Sequence, residues 1–88
     1  MAFMTHTVFD EKTGRHELHF VNQQYDLLMY IAWSEERQDY VLDDGRTSEA
    51  EAIEIARRSG WDNFELSTYL AKARFELPER DRKRRAGA

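Results

Sequence analysis

The sequence predicts an α+β fold: two N-terminal β-hairpins forming a small antiparallel sheet, followed by two short α-helices and a basic tail. Three observations carry this expectation. β-Prone runs separated by turn residues fill the first half of the chain, two capping-box signatures fill the second, and a charged segment without apolar period follows Pro78.

The first hairpin joins Thr5 to Phe9 and His16 to Val21 through Asp10-Glu11-Lys12-Thr13-Gly14, where Gly14 is available for positive φ. By the strand period of two, His16, Leu18 and Phe20 share one face, and Glu17 and His19 the other. The second hairpin runs from Leu27-Trp33 through Ser34-Glu35-Glu36-Arg37-Gln38-Asp39 into Tyr40-Val41-Leu42, closed by Asp43-Asp44-Gly45. Its first run is almost continuously apolar, as a central strand requires. A helix over residues 22–34 competes with it, because Tyr25, Leu28, Met29 and Ala32 also have helical spacing.

Ser48 followed three residues later by Glu51 is a capping box, which places a helix start at Glu49. Ala52, Ile53, Ile55 and Ala56 form its apolar stripe, Glu54 and Arg58 pair outside, and Gly60 ends it. Asp62 with Glu65 repeats the signature. It opens a second helix whose apolar side is Phe64, Leu66, Leu70, Ala73 and Leu77, with Pro78 at its exit. The expected core is Leu18, Phe20, Leu28, Tyr30, Val41, Ala52, Ile53, Ala56, Leu66 and Leu70. Residues 1–78 form one domain in this reading, and residues 79–88 a flexible tail.

With 88 residues the chain has room for one modest core and little wall for a catalytic cleft. It contains no cysteine, so disulfides, thiolate metal sites and cysteine nucleophiles are excluded. The longest apolar run, Leu27 to Trp33, is far short of the ~20 residues a membrane helix needs. The N-terminus lacks the basic-then-apolar order of a signal peptide. A cytoplasmic location with no membrane association is the expectation.

Net charge is −4, unevenly spread. Residues 79–85 hold five of the 13 Lys and Arg and two of the 17 acids, a local charge of +3 that leaves −7 on the rest. An acidic body is repelled by phosphates and attracted to basic protein surfaces.

No residue set carries a recognisable catalytic or metal-binding pattern, and no cofactor is expected. His16 and His19 fall on opposite faces of a strand, with His6 alone able to join either. The acids Glu35, Glu36, Asp39, Asp43 and Asp44 lie in turn-like sequence, expected to be solvated rather than buried as paired catalytic carboxylates must be. The Asp43-Asp44-Gly45 run lacks the remaining ligand positions of a calcium loop.

Four aromatics, Tyr25, Tyr30, Trp33 and Tyr40, lie close in sequence and serve either as core or as an exposed anchor. If exposed beside the acids, Trp33, Glu35, Glu36, Asp39, Tyr40, Asp43 and Asp44 form a partner-binding surface for a basic protein site.

Residues 56–70, ARRSGWDNFELSTYL, resemble the helix-turn-helix of the phage and lac-type repressor families in Ala56, Gly60, Trp61, Leu66 and Ser67. That resemblance implies that Asn63, Phe64, Ser67 and Thr68 face bases while Lys72 and Arg74 approach phosphates, in a dimer. Asp62 and Glu65 place acid at the start of such a recognition helix. Arg80, Arg82, Lys83, Arg84 and Arg85 could add nonspecific phosphate contacts.

In size, acidity and lack of motifs the chain is similar to small phage-encoded inhibitors such as anti-CRISPR proteins, which occupy the nucleic-acid-binding surfaces of their targets. The expectation is a non-enzymatic inhibitor or adaptor that docks on a basic, nucleic-acid-handling protein, with a homodimer open. The alternative is a DNA-binding transcriptional regulator using residues 56–74.

Overall fold

A computed structural model describes residues 4–87. The fold is α+β: strands β1 (Met4–Asp10), β2 (Arg15–Val21), β3 (Leu27–Ser34) and β4 (Asp39–Leu42) form an antiparallel meander in the order β1-β2-β3-β4. A short 3-10 turn, Asp43–Gly45, leads to helices α1 (Glu49–Arg58) and α2 (Leu66–Gly87).

The first hairpin forms because Asp10 and Gly14 close a tight loop. Gly14 N–H donates to the Asp10 carbonyl at 2.8 Å with Gly14 at φ 72°, and Asp10 Oδ1 accepts from Lys12 N–H. The strand reading of residues 27–34 holds over the helical one.

Register decides which face is buried. Leu18 pairs with Ile31, Phe20 with Met29 and Ile31 with Leu42, so Leu18, Phe20, Met29, Ile31 and Leu42 point to the helices. The sequence reading of β3 and β4 has the opposite phase. Tyr30 and Val41, expected in the core, are half-buried on the other face, and Leu28 only borders the core. The physical reason is that β3 is apolar at consecutive positions, so its own alternation carries no phase.

Helix α1 keeps its capping box: Ser48 Oγ accepts from Glu51 N–H at 3.1 Å, and the Glu51 carboxylate accepts from Ser48 N–H at 3.3 Å. It ends at Gly60, φ 89°, where Trp61 N–H reaches the Ala56 carbonyl and Gly60 N–H the Arg57 carbonyl. This is a Schellman closure that only a left-handed residue permits. Ala52 and Ala56, four apart, face the core, whereas Ile53 is 42% exposed, against expectation, because it lies a third of a turn off that line.

Helix α2 departs most from expectation. It begins at Leu66 rather than at the Asp62–Glu65 box, and it is long, 22 residues, running through Pro78 to Gly87. Residues 79–87 are therefore helical and not a flexible tail, and residue 88 lies outside the described residues. Pro78 removes one helical N–H and crowds the preceding turn, a penalty of about 3 kcal/mol in a helix interior. Tertiary contacts outweigh it here, because Leu66, Ala73, Leu77 and Asp81 lie along one line of the helix and are all buried.

The core is continuous. Phe20, Met29, Ile31 and Leu42 of the sheet meet Ala52, Ala56, Phe64, Leu66, Ala73 and Leu77 of the helical half. An aromatic cluster seals one side: Phe20 lies edge-on to Phe64 and Tyr69, and Phe64 stacks on Tyr69 at 5.3 Å.

Candidate functional site

The residues nominated as an acidic, aromatic surface are distributed by the fold into four groups. Glu35 and Glu36 sit in the β3–β4 turn, Asp43 and Asp44 sit at the other end of β4, and the four residues of that strand separate the pairs by about 13 Å.

The turn acids are the exposed group. Ser34 Oγ accepts from Arg37 N–H at 3.2 Å, and Gln38 Nε2 donates to the Glu35 carbonyl at 2.7 Å, so the turn backbone is fixed. Gln38 supplies the left-handed residue at φ 54°. The Glu35 side chain is 76% exposed, with the Arg15 guanidinium at 3.7 Å, and Glu36 is exposed beside it. Screening by solvent leaves both charges available to a partner.

Asp43 and Asp44 are engaged within the molecule. Asp43 Oδ1 accepts from Tyr30 N–H at 2.8 Å, continuing the ladder where β4 stops, and its Oδ2 accepts from the Thr47 hydroxyl. Asp44 accepts from the Tyr30 hydroxyl at 2.9 Å. Burial first, then the Asp44 hydrogen bond and charge, push the Tyr30 hydroxyl up to about 12. Asp43 and Asp44 both have positive φ, 49° and 56°, so these contacts hold a left-handed turn.

Asp39 is tied to α2. Arg74 donates Nε and an Nη hydrogen to its two carboxylate oxygens, both at 3.0 Å. The Arg74 hydrogen bonds and that of Tyr40 N–H hold the Asp39 carboxyl below its usual range. One residue nominated for a basic partner thus neutralises one nominated for DNA.

Trp33 and Tyr40 lie on the helix side of the sheet. Tyr40 is 3% exposed and cannot present a surface, and Trp33 is half-buried edge-on to it at 5.3 Å. The Arg15 guanidinium lies 4.8 Å from the Trp33 ring, capping it from solvent. Tyr30 is half-buried, and Tyr25 is 69% exposed in the β2–β3 turn. Among the described residues, Trp33 Nε1, Tyr40 OH and Asp81 Oδ2 are buried without a protein hydrogen-bond partner. Burial, reinforced by the Asp81 charge and opposed by Arg15, raises the Tyr40 hydroxyl.

The residues that resemble a helix-turn-helix are arranged as follows. Residues 59–65 separate α1 from α2, longer than the three or four residues that join such helices. Asn63 is in that connection, Ser67 and Thr68 are exposed in the first turn of α2, and Lys72 is exposed one turn on. Phe64, nominated to face bases, is 5% exposed in the core, and Arg74 is held by Asp39.

The basic segment also has internal partners. Arg82 pairs with Glu79, Arg84 lies 3.7 Å from the Phe9 ring, and Arg80, Lys83 and Arg85 are exposed.

Phe75, absent from every sequence-level nomination, is the most exposed large apolar residue described, at 80%. A phase argument could have found it. It lies two positions from both Ala73 and Leu77, so it falls off the buried line of α2, and a large aromatic there has no packing reason.

An open groove of about 430 Å³ runs beside β4, lined among others by Arg37, Asp39, Thr47, Ser48, Leu70 and Arg74. Its Ser48 and Thr47 hydroxyls serve the α1 cap and the Asp43 turn. Among the described residues no three His, Asp or Glu side chains converge on a metal position, and no helix is long and apolar enough to cross a membrane. No protein-family model matches the chain, and no curated protein and no solved structure is significantly similar to it.

Proposed function

We propose that the protein is a non-enzymatic, cytoplasmic binding module, an inhibitor or adaptor of the type that phages and other mobile elements encode. It docks an acidic surface on a basic site of a nucleic-acid-handling protein. The observation that carries this reading is the β3–β4 turn. Two adjacent carboxylates, Glu35 and Glu36, stand exposed on a backbone pinned by Ser34 and Gln38, within a body whose charge is −7 outside residues 79–85. A rigid acidic projection steers a basic partner and pays little ordering entropy on contact.

Relative to the surface nominated from sequence, the reading is narrower. Glu35 and Glu36 carry it, and Asp44, which accepts from the Tyr30 hydroxyl, is engaged within the molecule. Asp39, Tyr40 and Asp43 act on the protein's own structure.

The test is capture from nuclease-treated lysate by the tagged protein, with Glu35→Lys/Glu36→Lys as the comparator. Retention of a basic nucleic-acid-handling protein that the variant loses supports the reading. Retention of duplex DNA alone, lost on Lys72→Glu, overturns it in favour of the DNA-binding alternative.

A further inference from the structure

The two edges of the sheet are built differently. β4 is short, four residues, and the Asp43–Gly45 turn caps the middle of β3 through the Asp43–Tyr30 hydrogen bond. Asp39 at its start is held by α2. β1, at the other edge, is seven residues long and pairs with β2 without interruption from Met4↔Val21 to Asp10↔Arg15. α2 packs mainly on β2 and β4 and reaches β1 through Arg84 over the Phe9 ring.

Sheet edges are protected by brevity, bulges, proline or inward lysine. β1, with the sequence MTHTVFD, has none of these. Its face away from the helices carries His6, Val8 and Asp10, in which Val8 is 39% exposed and His6 is exposed.

From these features we infer that β1 is the seam of a homodimer, in which β1 of a second copy adds antiparallel to it about a two-fold axis through Val8. The symmetry limits the register. If the helices of both copies lie on one side of a continuous eight-stranded sheet, opposed residues must share a face, so the axis passes through a residue. An axis at Val8 sets Val8 against its own copy, His6 against Asp10 of the second copy twice over, and Thr7 against Phe9 on the helix side. That register buries the exposed valine and joins a carboxylate to an imidazole at both ends of the seam. An axis at His6 would oppose two imidazoles, and one at Thr7 would leave Asp10 opposite Met4. This pairing of an imidazole with a carboxylate therefore selects a second copy as occupant, and Val8 as its centre.

The full chain tests this directly. Sedimentation over a concentration series is expected to show a monomer–dimer equilibrium. Val8→Lys, which opposes two lysines at the axis, is expected to raise the dimer dissociation constant at least about tenfold while far-UV circular dichroism is unchanged. A cysteine-free chain also permits cross-linking. Opposed Cα atoms about 5 Å apart suit a disulfide, whereas diagonal neighbours at about 7–8 Å do not. Val8→Cys is therefore expected to form a linked dimer under mild oxidation, and Thr7→Cys not. The inference is overturned if the wild type stays monomeric throughout the series, or if Thr7→Cys links in preference to Val8→Cys. Should Val8→Lys fail to fold, the cysteine pair decides.

Discussion

Asp81 on α2 accepts two hydrogen bonds at one carboxylate oxygen, from the backbone N–H and from the ring Nδ1 of His16 on β2, both at 2.7 Å. The pair spans 65 positions of sequence, and the Asp81 side chain is 1% exposed. It fastens the part of α2 beyond Pro78 to the sheet. Asp81→Ala should leave the His16 N–H buried without an acceptor and lower unfolding stability by about 3 kcal/mol in chemical denaturation. Amide exchange should rise selectively over residues 79–87. An unchanged exchange pattern would show that Leu77 packing alone holds the helix.

Asp39 and Arg74 form a bidentate but exposed pair. A double-mutant cycle with Asp39→Ala and Arg74→Ala should give a coupling of about 0.5–1 kcal/mol that declines with salt. Because Arg74 lowers the folded Asp39 pKa, this contribution is present above the unfolded carboxylate value and is lost as pH falls through the folded one. Arg74→Ala should flatten the stability profile in that acid range.

Tyr30 should ionise at about 12, well after an ordinary tyrosine. Its folded value is raised, so its share of stability is complete below about 10 and is lost as pH climbs toward 12. In Asp44→Asn the hydrogen bond to a charged acceptor is gone and the pKa should drop. NMR titration of the Tyr30 ring reads the shift directly, and an unmoved value would assign the effect to burial and the Asp43 and Glu17 charges.

Glu35→Lys/Glu36→Lys should change unfolding stability by no more than about 0.5 kcal/mol, since both residues are exposed. The same substitution should weaken partner binding at least about tenfold by calorimetry, through loss of steering and of like-to-opposite charge contact. A stability loss of several kcal/mol would instead make the turn acids structural.

Phe75→Ala should likewise leave the melting temperature within a few degrees of the wild type, because the ring is 80% exposed and buries little on folding. A large destabilisation in thermal melts would show that the ring is covered in solution.

Local rules were legible where one residue type has one physical solution. The Ser48–Glu51 box, the left-handed Gly14 and Gly60, and the polar turns follow from backbone sterics and orphaned N–H groups, and each is where the residues place it. The burial phase of β3 was not legible, because Leu27 to Trp33 offers apolar groups to both faces. Nor was the fate of the acids. Asp39, Asp43 and Glu36 look alike in a turn-rich stretch, yet their roles depend on Arg74 and Tyr30, which lie 35 and 13 positions away from Asp39 and Asp43.

By itself, then, the sequence determined an α+β order of elements, a cysteine-free acidic body and the start of α1, all of which rest on contacts a few residues apart. Only the tertiary structure decided that α2 runs through Pro78, that Tyr40 and Phe64 are core, and that β1 is the open edge. Each of these balances a local cost against burial or pairing with a distant segment, and the partner in that balance is unknown until the chain has folded.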